Sequence, residues 1–385
     1  MPSTADVVII GAGTIGSSTA YHLARQGLRN VVVVEMGRAG SGTSSKSASM
    51  LSLQFGHDEL MVRMAQTAYD RFMQFEEEFG VPIDFKRIGL LALATAASAD
   101  HLRRNAGLMQ ALGIATDLFT PDEIKQRYPA INTEDIVAGA FGPDDGVLDA
   151  HMVVTGYVGK ARELGAKVAE GVKATGIRVR AGKVEGVETT AGFIAAPLVV
   201  NAGGPWAIEI GRWVGVDLPI LNSARSIVVT PPFPELPSDW PFVEDLTVEW
   251  YCRPEGPGML MGMGAAPTDQ TEIPFRREAM DDLFAAAIHR IPVLEKAGIL
   301  TGWTGVRPMT LDDRPILGAV DGVEGFLLNC GWGGAGVMLS PVAGQLLADS
   351  VVGAQSEPLA PFAVGRFAGL RTADIHDLRI LARAG

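Results

Sequence analysis

Residues 7–35 carry the pattern that most limits what this chain can become. Val7, Val8, Ile9 and Ile10 form an unbroken β-branched run, as expected of a strand buried on both faces. The run ends in Gly11-Ala12-Gly13-Thr14-Ile15-Gly16. A helical stretch follows over 17–26 and stops at Gly27, and a second apolar run, Val31 to Val34, ends in Glu35. Each position has a task in a strand–turn–helix–strand unit that binds a dinucleotide. Gly11 permits the tight turn, Gly13 lets backbone approach a pyrophosphate, and Gly16 lets helix and strand pack closely. The free N–H groups and partial positive charge of the helix start suit phosphates. Glu35 can accept hydrogen bonds from ribose hydroxyls, and its charge repels a 2′-phosphate. A lone glycine fingerprint also describes a plain Gly-rich turn, but strand, turn, helix, strand and acid in order favour the dinucleotide. NAD and FAD share the fingerprint, and these residues do not choose between them.

Composition removes several other classes. At 385 residues, 47% apolar and 20% charged, the chain can bury a large core and is long enough for two domains. Its 32 Lys+Arg against 44 Asp+Glu give a net charge of −12 without a basic cluster, which argues against nucleic acid as a partner. Cys252 and Cys330 are too few for a disulfide framework, and neither they nor the six scattered histidines have metal-ligand spacing. The start, MPSTAD, lacks a basic region followed by an apolar stretch, and the first apolar run falls far short of the ~20 residues that span a bilayer. A cytoplasmic protein without a metal is expected.

Further along, residues 40–56 are rich in Ser and Gly, as in a loop passing close to a ligand; a flexible surface loop is the alternative, but small residues so near the phosphate turn favour contact. A helix is expected over 58–79, with Leu60, Met64, Phe72 and Phe75 as its core stripe. A strand at 88–94, a helix at 100–112 and a short strand at 138–142 follow. Thr120, Pro121 and Glu123 spell a capped helix start. A second amphipathic helix is expected over 146–165, then a strand at 167–169 and a meander whose turns fall at Ala181-Gly182 and Ala191-Gly192. Leu198 to Asn201 reads as a buried strand ending in Ala202-Gly203-Gly204, and small residues there suit backbone lying against a ligand. The stretch 225–265 is strand-like, interrupted by Pro231, Pro232, Pro234 and Pro237. Glycine-rich turns return at Gly302, Gly305, Gly318 and Gly331 to Gly336, with a helix from about Val337 aimed at the ligand.

Taken in order, GAGTIG, Glu35, the Ser-rich loop, VVNAGGPWA at 199–207, WTGVRPMTLDDRPILG at 303–318 and CGWGGAGVMLSPVAGQLLAD at 330–349 resemble the D-amino-acid oxidase family of flavoproteins. That family includes glycine oxidase, the sarcosine oxidases and heteromeric proline dehydrogenases, and the resemblance covers essentially the whole chain. It implies an α/β (α+β overall) fold: a Rossmann-like FAD-binding domain (1–85, 146–222 and 300–385) interleaved with a substrate domain (86–145 and 223–299) on a mixed, mainly antiparallel sheet. It implies FAD held along its length. The expected contacts are Gly11, Gly13, Thr14, Ile15 and Gly16 at the phosphates, Glu35 and Met36 at the ribose, and Ser44, Ser45, Lys46 and Ser47 in the loop. Val172, Ala202, Gly203 and Trp206 come next, then Gly331, Gly333, Gly334, Ala335, Gly336, Val337 and Met338 against the flavin.

The implied reaction is oxidation of the C–N bond of an amino acid or N-alkyl amino acid by hydride transfer to flavin N5. The resulting imine hydrolyses. Arg307 matches the position that holds a substrate carboxylate; a structural ion pair with Asp312 or Asp313 is the competing account. Tyr251 is either a pocket residue or a buried core tyrosine. His57-Asp58-Glu59 reads as an exposed helix start more readily than as a proton relay. Three departures from the monomeric sarcosine oxidases stand out. Gly305 replaces their flavin-linking cysteine, so FAD is expected to be non-covalent. Ser52 stands where they keep an arginine. The strand around Leu260, 258–262, lacks their oxygen-activating lysine, which leaves O2 or another electron acceptor open. The other readings are a flavin subunit of a heteromeric opine, proline or sarcosine dehydrogenase, a flavin monooxygenase, and a non-catalytic FAD-binding module. A homo- or hetero-oligomer is compatible with each.

Overall fold

The computed structural model describes residues 2–54, 58–354 and 359–370. Val7–Ile10 is the central strand of a six-stranded sheet ordered Ile316–Ala319, Phe326–Cys330, Leu198–Asn201, Val7–Ile10, Val31–Glu35 and Lys167–Glu170. All neighbours are parallel except the first pair. Central parallel strands are covered on both faces, which is why Val7 to Ile10 and Val31 to Val34 are apolar throughout and buried. One face carries the helices Thr14–Arg25, Ala150–Glu163 and Ser340–Val352. The first and last approach closely at Gly344, where any side chain would overlap Ser18, and the Ser18 hydroxyl donates to the Ser340 carbonyl (2.7 Å). On the other face lies the three-stranded meander Ala174–Arg180, Lys183–Thr189 and Gly192–Ala195. Its first turn falls at Ala181-Gly182 as expected, both residues having positive φ (49° and 77°), the hairpin geometry that matches strand twist.

The second layer is an eight-stranded sheet ordered Thr301–Met309, Leu221–Val229, Gly258–Thr268, Trp250–Glu255, Phe242–Asp245, Leu90–Thr95, Ile136–Gly142 and Asp117–Phe119. Only the pairing of Phe242–Asp245 with Leu90–Thr95 is parallel. The four prolines noted above fall in the loop between Leu221–Val229 and Phe242–Asp245, where no ladder N–H is required. Helix Pro121–Arg127 opens with the expected reciprocal cap: Thr120 and Glu123 exchange backbone and side-chain bonds.

Four expectations need correction. The 58–79 helix is two, Glu59–Met73 and Phe75–Phe79, broken at Gln74. The break turns Phe75 and Phe79 into a stack 4.2 Å apart that packs on Tyr157. The 146–165 helix starts at Ala150, because Gly146–Val147 is a strand paired with Met50–Leu51 and Asp149 caps the helix by accepting from His151 and Met152. The last helix starts at Ser340 rather than Val337, with Pro341 in its first turn. Finally, residues 301–309, assigned with the rest of 300–385 to the FAD-binding unit, form an edge strand of the large sheet, paired along their whole length with Leu221–Val229. Among the described residues no helix is long and apolar enough to cross a membrane, and no cluster of His, Cys, Asp or Glu is arranged to hold a metal.

Candidate active site

A cavity of about 1070 Å³ runs between the two sheets, from Glu35 and Met36 at one end to Arg307, Tyr251 and Glu244 at the other. Small-molecule sites typically occupy roughly 300–1,000 Å³, so there is room for an extended cofactor and a small substrate. Motifs far apart in sequence meet along it. The Thr14 N–H donates to Ser44 Oγ (3.0 Å) and Thr14 Oγ1 donates to the Gly336 carbonyl (3.1 Å), joining the fingerprint to the Ser-rich loop and to the late glycine cluster. Thr43 Oγ1 donates to the Val306 carbonyl (2.8 Å), and Arg253 Nε donates to the Ala48 carbonyl (2.8 Å), fixing that loop to the large sheet.

The residues fit an extended dinucleotide. Glu35 ends its strand with Oε2 accepting from Ala12 N–H (2.9 Å) and Oε1 from Gly37 N–H (2.8 Å), and its carboxylate borders the cavity with lone pairs to spare. Gly11, at φ +103°, has no space for a side chain: a Cβ would lie 2.5 Å from the Ala202 carbonyl oxygen. Gly16 would overlap the Gly11 carbonyl, the close helix–strand approach expected of it, and it faces that contact instead of the cavity.

Of the other residues expected at the cofactor, Gly11, Gly13, Thr14, Ile15, Met36, Ser44, Lys46, Ser47, Ala202, Gly203 and Trp206 border the cavity. So do Gly331, Gly333, Gly334, Gly336, Val337 and Met338. Ser45, Val172 and Ala335 do not. Ser45 Oγ turns away to the Gly42 carbonyl (3.2 Å), and Val172 spends its N–H on the Glu35 carbonyl (2.9 Å) while its neighbours Lys173 and Ala174 reach the cavity. Because the last helix begins at Ser340, the backbone nearest the cavity is the irregular turn 336–339. Gly305 lies against the loop, a Cβ there falling 3.0 Å from the Lys46 carbonyl oxygen. Ser52 and Leu260 are buried away from the cavity, and Ser52 donates to Asp145 (3.0 Å). His57 lies outside the described residues. Asp58 is the N-cap of Glu59–Met73, accepting from Met61 N–H (3.1 Å) and from Arg314 Nε (3.0 Å).

The far end of the cavity is built by five neighbouring strands of the large sheet. Two rows cross it: Gly305, Arg225 and Gly264 in one, Gly262, Tyr251 and Glu244 in the other. A side chain at Gly262 would overlap the Tyr251 phenol, and one at Gly264 would overlap the Arg225 guanidinium, so these glycines clear the way for polar heads. Tyr251 is buried, stacks on Phe242 (5.5 Å) and keeps its hydroxyl without a hydrogen-bond partner. Arg307 is half-buried with its guanidinium against Gly334. Burial lowers its pKa, and the nearby Arg225 charge lowers it further. Asp312, one proposed ion-pair partner, is instead held by Arg366 (2.9 Å).

Three charged residues of the cavity wall, Arg225, Glu244 and Glu249, did not stand out in the sequence. Arg225 pairs with Glu249, while its Nε is buried without a partner. Burial raises the pKa of Glu244, opposed by the charges of Arg225 and Arg307. Alternation was the available signal. Arg225 shares a strand face with Ile227 and Val229, and Glu244 shares one with Phe242, so each is a charge on an apolar face. Ser49, Glu249 and Asp313, with φ near +55°, also border the cavity; non-glycine residues held this way concentrate at functional sites.

Comparison with known proteins agrees with this outline. The chain is 33% identical over 379 residues to mitochondrial sarcosine dehydrogenase of Homo sapiens, covering 93% of this chain and 40% of that protein. The chain thus spans less than half the length of that relative. It is 31% identical to glycine oxidase of Geobacillus kaustophilus, covering 94% of this chain and 97% of that one. The crystal structure of L-proline dehydrogenase from P. horikoshii superposes with a TM-score of 0.86 at 27% identity, covering 95% of this chain and 98% of that one. The FAD dependent oxidoreductase family model matches residues 6–350, which takes in both sheets, the fingerprint and the late glycine cluster. The chain therefore belongs to the family of FAD-dependent oxidoreductases.

Proposed function

We propose that this protein oxidises the C–N bond of an amino acid or N-alkyl amino acid, with FAD bound non-covalently between the two sheets. The observation that carries the reading is one cavity joining the dinucleotide fingerprint to Arg307 and Tyr251. Bound FAD supplies the two-electron acceptor. Arg307, with no carboxylate partner of its own at Asp312, binds the substrate carboxylate, and the unpartnered Tyr251 hydroxyl donates a second hydrogen bond. Together they fix the substrate's α-carbon in the half of the cavity bordered by the glycine cluster, and the apolar wall of Ile227, Phe242 and Leu90 excludes water. The imine product leaves and hydrolyses. The relatives named for sarcosine, glycine and proline support this substrate class. Gly305, in place of a thiol, supports non-covalent attachment. The two cysteines, buried free thiols, accord with a reducing cytoplasm. Oxygen or another acceptor completes the cycle.

Titration of the FAD-loaded protein with acetate, followed by the flavin absorption band, tests the carboxylate assignment. Losing a charge-assisted contact costs roughly 1.5–3 kcal/mol, so Arg307→Ala should weaken acetate binding by about 10- to 150-fold with flavin content unchanged. Unaltered affinity would remove Arg307 from the site.

A further inference from the structure

The charges on the cavity wall do not cancel in pairs. Arg225 is paired with Glu249. Asp245, next to Glu244 in sequence, points to the opposite face of its strand, where it is buried against Arg290 (2.7 Å). Once these pairs are set aside, the strands of the large sheet present one cation and one anion to the cavity, Arg307 and Glu244; the other charged residues that border it, among them Lys46, Lys173, Glu209 and Glu272, lie on other elements. Neither makes a hydrogen bond or ion pair among the described residues, although each shifts the other's pKa, so the two charges sense one another across the space between them. Glu244 lies directly across the strand pair from Tyr251. It therefore borders the same compartment as the carboxylate-binding groups.

We infer that Glu244 is the cation-binding half of the substrate pocket, so that the site selects zwitterions whose positively charged nitrogen rests against Glu244 while the carboxylate rests on Arg307. This rests on the amino-acid reading above and narrows it. A carboxylate left unpaired in a largely apolar cavity is costly unless the ligand supplies its counter-charge, and an ammonium or alkylammonium group does so. A simple carboxylic acid or an uncharged amide would leave Glu244 facing no partner, which disfavours both. The groups that set the charge of Glu244 are Arg225, Arg307, Glu249, Asp245 and Tyr251 on the surrounding strands and turn. Burial favours its neutral form and the two arginines favour its ionised form, so selection for a cation should strengthen as pH rises through the Glu244 titration.

Two non-oxidisable ligands of nearly identical shape make the test. N,N,N-trimethylglycine carries a permanent positive charge, and 3,3-dimethylbutanoate replaces its nitrogen with carbon. Each is titrated into the FAD-loaded protein, and binding is read from perturbation of the flavin spectrum and by calorimetry. The wild type should bind the trimethylglycine at least about tenfold more tightly, with the preference fading in acid. Glu244→Gln should abolish both the preference and its pH dependence while binding 3,3-dimethylbutanoate at least as tightly as the wild type, since the unpaired charge that disfavours it is gone, which also shows that the pocket is still formed. Glu244→Asp should restore part of the preference. Equal binding of the two ligands by the wild type, or an unchanged preference in Glu244→Gln, overturns the inference. Arg307→Ala should weaken both ligands alike; if it weakens neither, the carboxylate reading falls instead.

Discussion

Tyr251 reaches the cavity only because position 262, opposite it in the ladder, has no side chain. The sequence left open whether Tyr251 is a core or a pocket residue, and its surroundings make it both: the ring is packed on Phe242 while the hydroxyl has no protein partner. Gly262→Ala separates the two roles. Its methyl group would overlap the phenol, which must swing away from the compartment it shares with Arg307. Overpacking of this kind costs roughly 1–3 kcal/mol. The variant should melt a few degrees lower, keep its FAD, and bind acetate about tenfold more weakly, as expected for one lost hydrogen bond. Wild-type acetate affinity in this variant would show that the hydroxyl is not part of the carboxylate site.

Among the elements, those set by local chemistry were legible: the strand–turn–helix of residues 7–25, the Thr120 capping box and the hairpin at Ala181-Gly182. What remained hidden depended on partners distant in the chain. Gln74 looks like an ordinary helical residue, and the break there serves an aromatic cluster completed by Tyr157. Pro341 and Asp149 were readable start signals that apolar periodicity obscured. Glu244 and Asp245 illustrate the limit most clearly. Adjacent in sequence, they face opposite sides of one strand, one toward the cavity and one toward Arg290. Arg290, at the end of helix Asp281–Arg290, is almost wholly buried and bonds Asp245, Asp135 (2.8 Å) and the Asn132 carbonyl (2.7 Å), tying that helix to the sheet. Replacing it by methionine leaves Asp245 buried and uncompensated, a loss on the order of 3–5 kcal/mol. Denaturant titration should show that loss in Arg290→Met and substantial recovery in the double variant Arg290→Met/Asp245→Leu. If the double variant were no more stable than the single one, the buried charge would not be the cause.

Across the whole molecule, the two layers are joined near Asp145, in the turn that leads from Ile136–Gly142 of the large sheet to the short strand Gly146–Val147. Its carboxyl is fully buried and bonded to Leu53 N–H (2.6 Å) and to Ser52 Oγ (3.0 Å), in the segment that leaves the Ser-rich loop. Burial pushes its pKa up from the ordinary 3.8 to about 7, despite those two hydrogen bonds, which favour the charged form. The sign of the effect follows from proton counting. Between about pH 4 and 7 the folded state keeps a proton on Asp145 that the unfolded chain has released, so folding stability falls as pH rises through this window and levels off above it. One group shifted in this way contributes up to about 1.4 kcal/mol per pH unit. Asp145→Asn keeps the acceptor for Leu53, places a donor toward Ser52 and does not titrate. Denaturation of both proteins at pH values of about 5, 6 and 7 should therefore show the wild type losing stability relative to the variant at each step. A wild-type-minus-variant difference that stays constant over this range would mean that Asp145 does not titrate there, and that the seam between the layers holds it ionised.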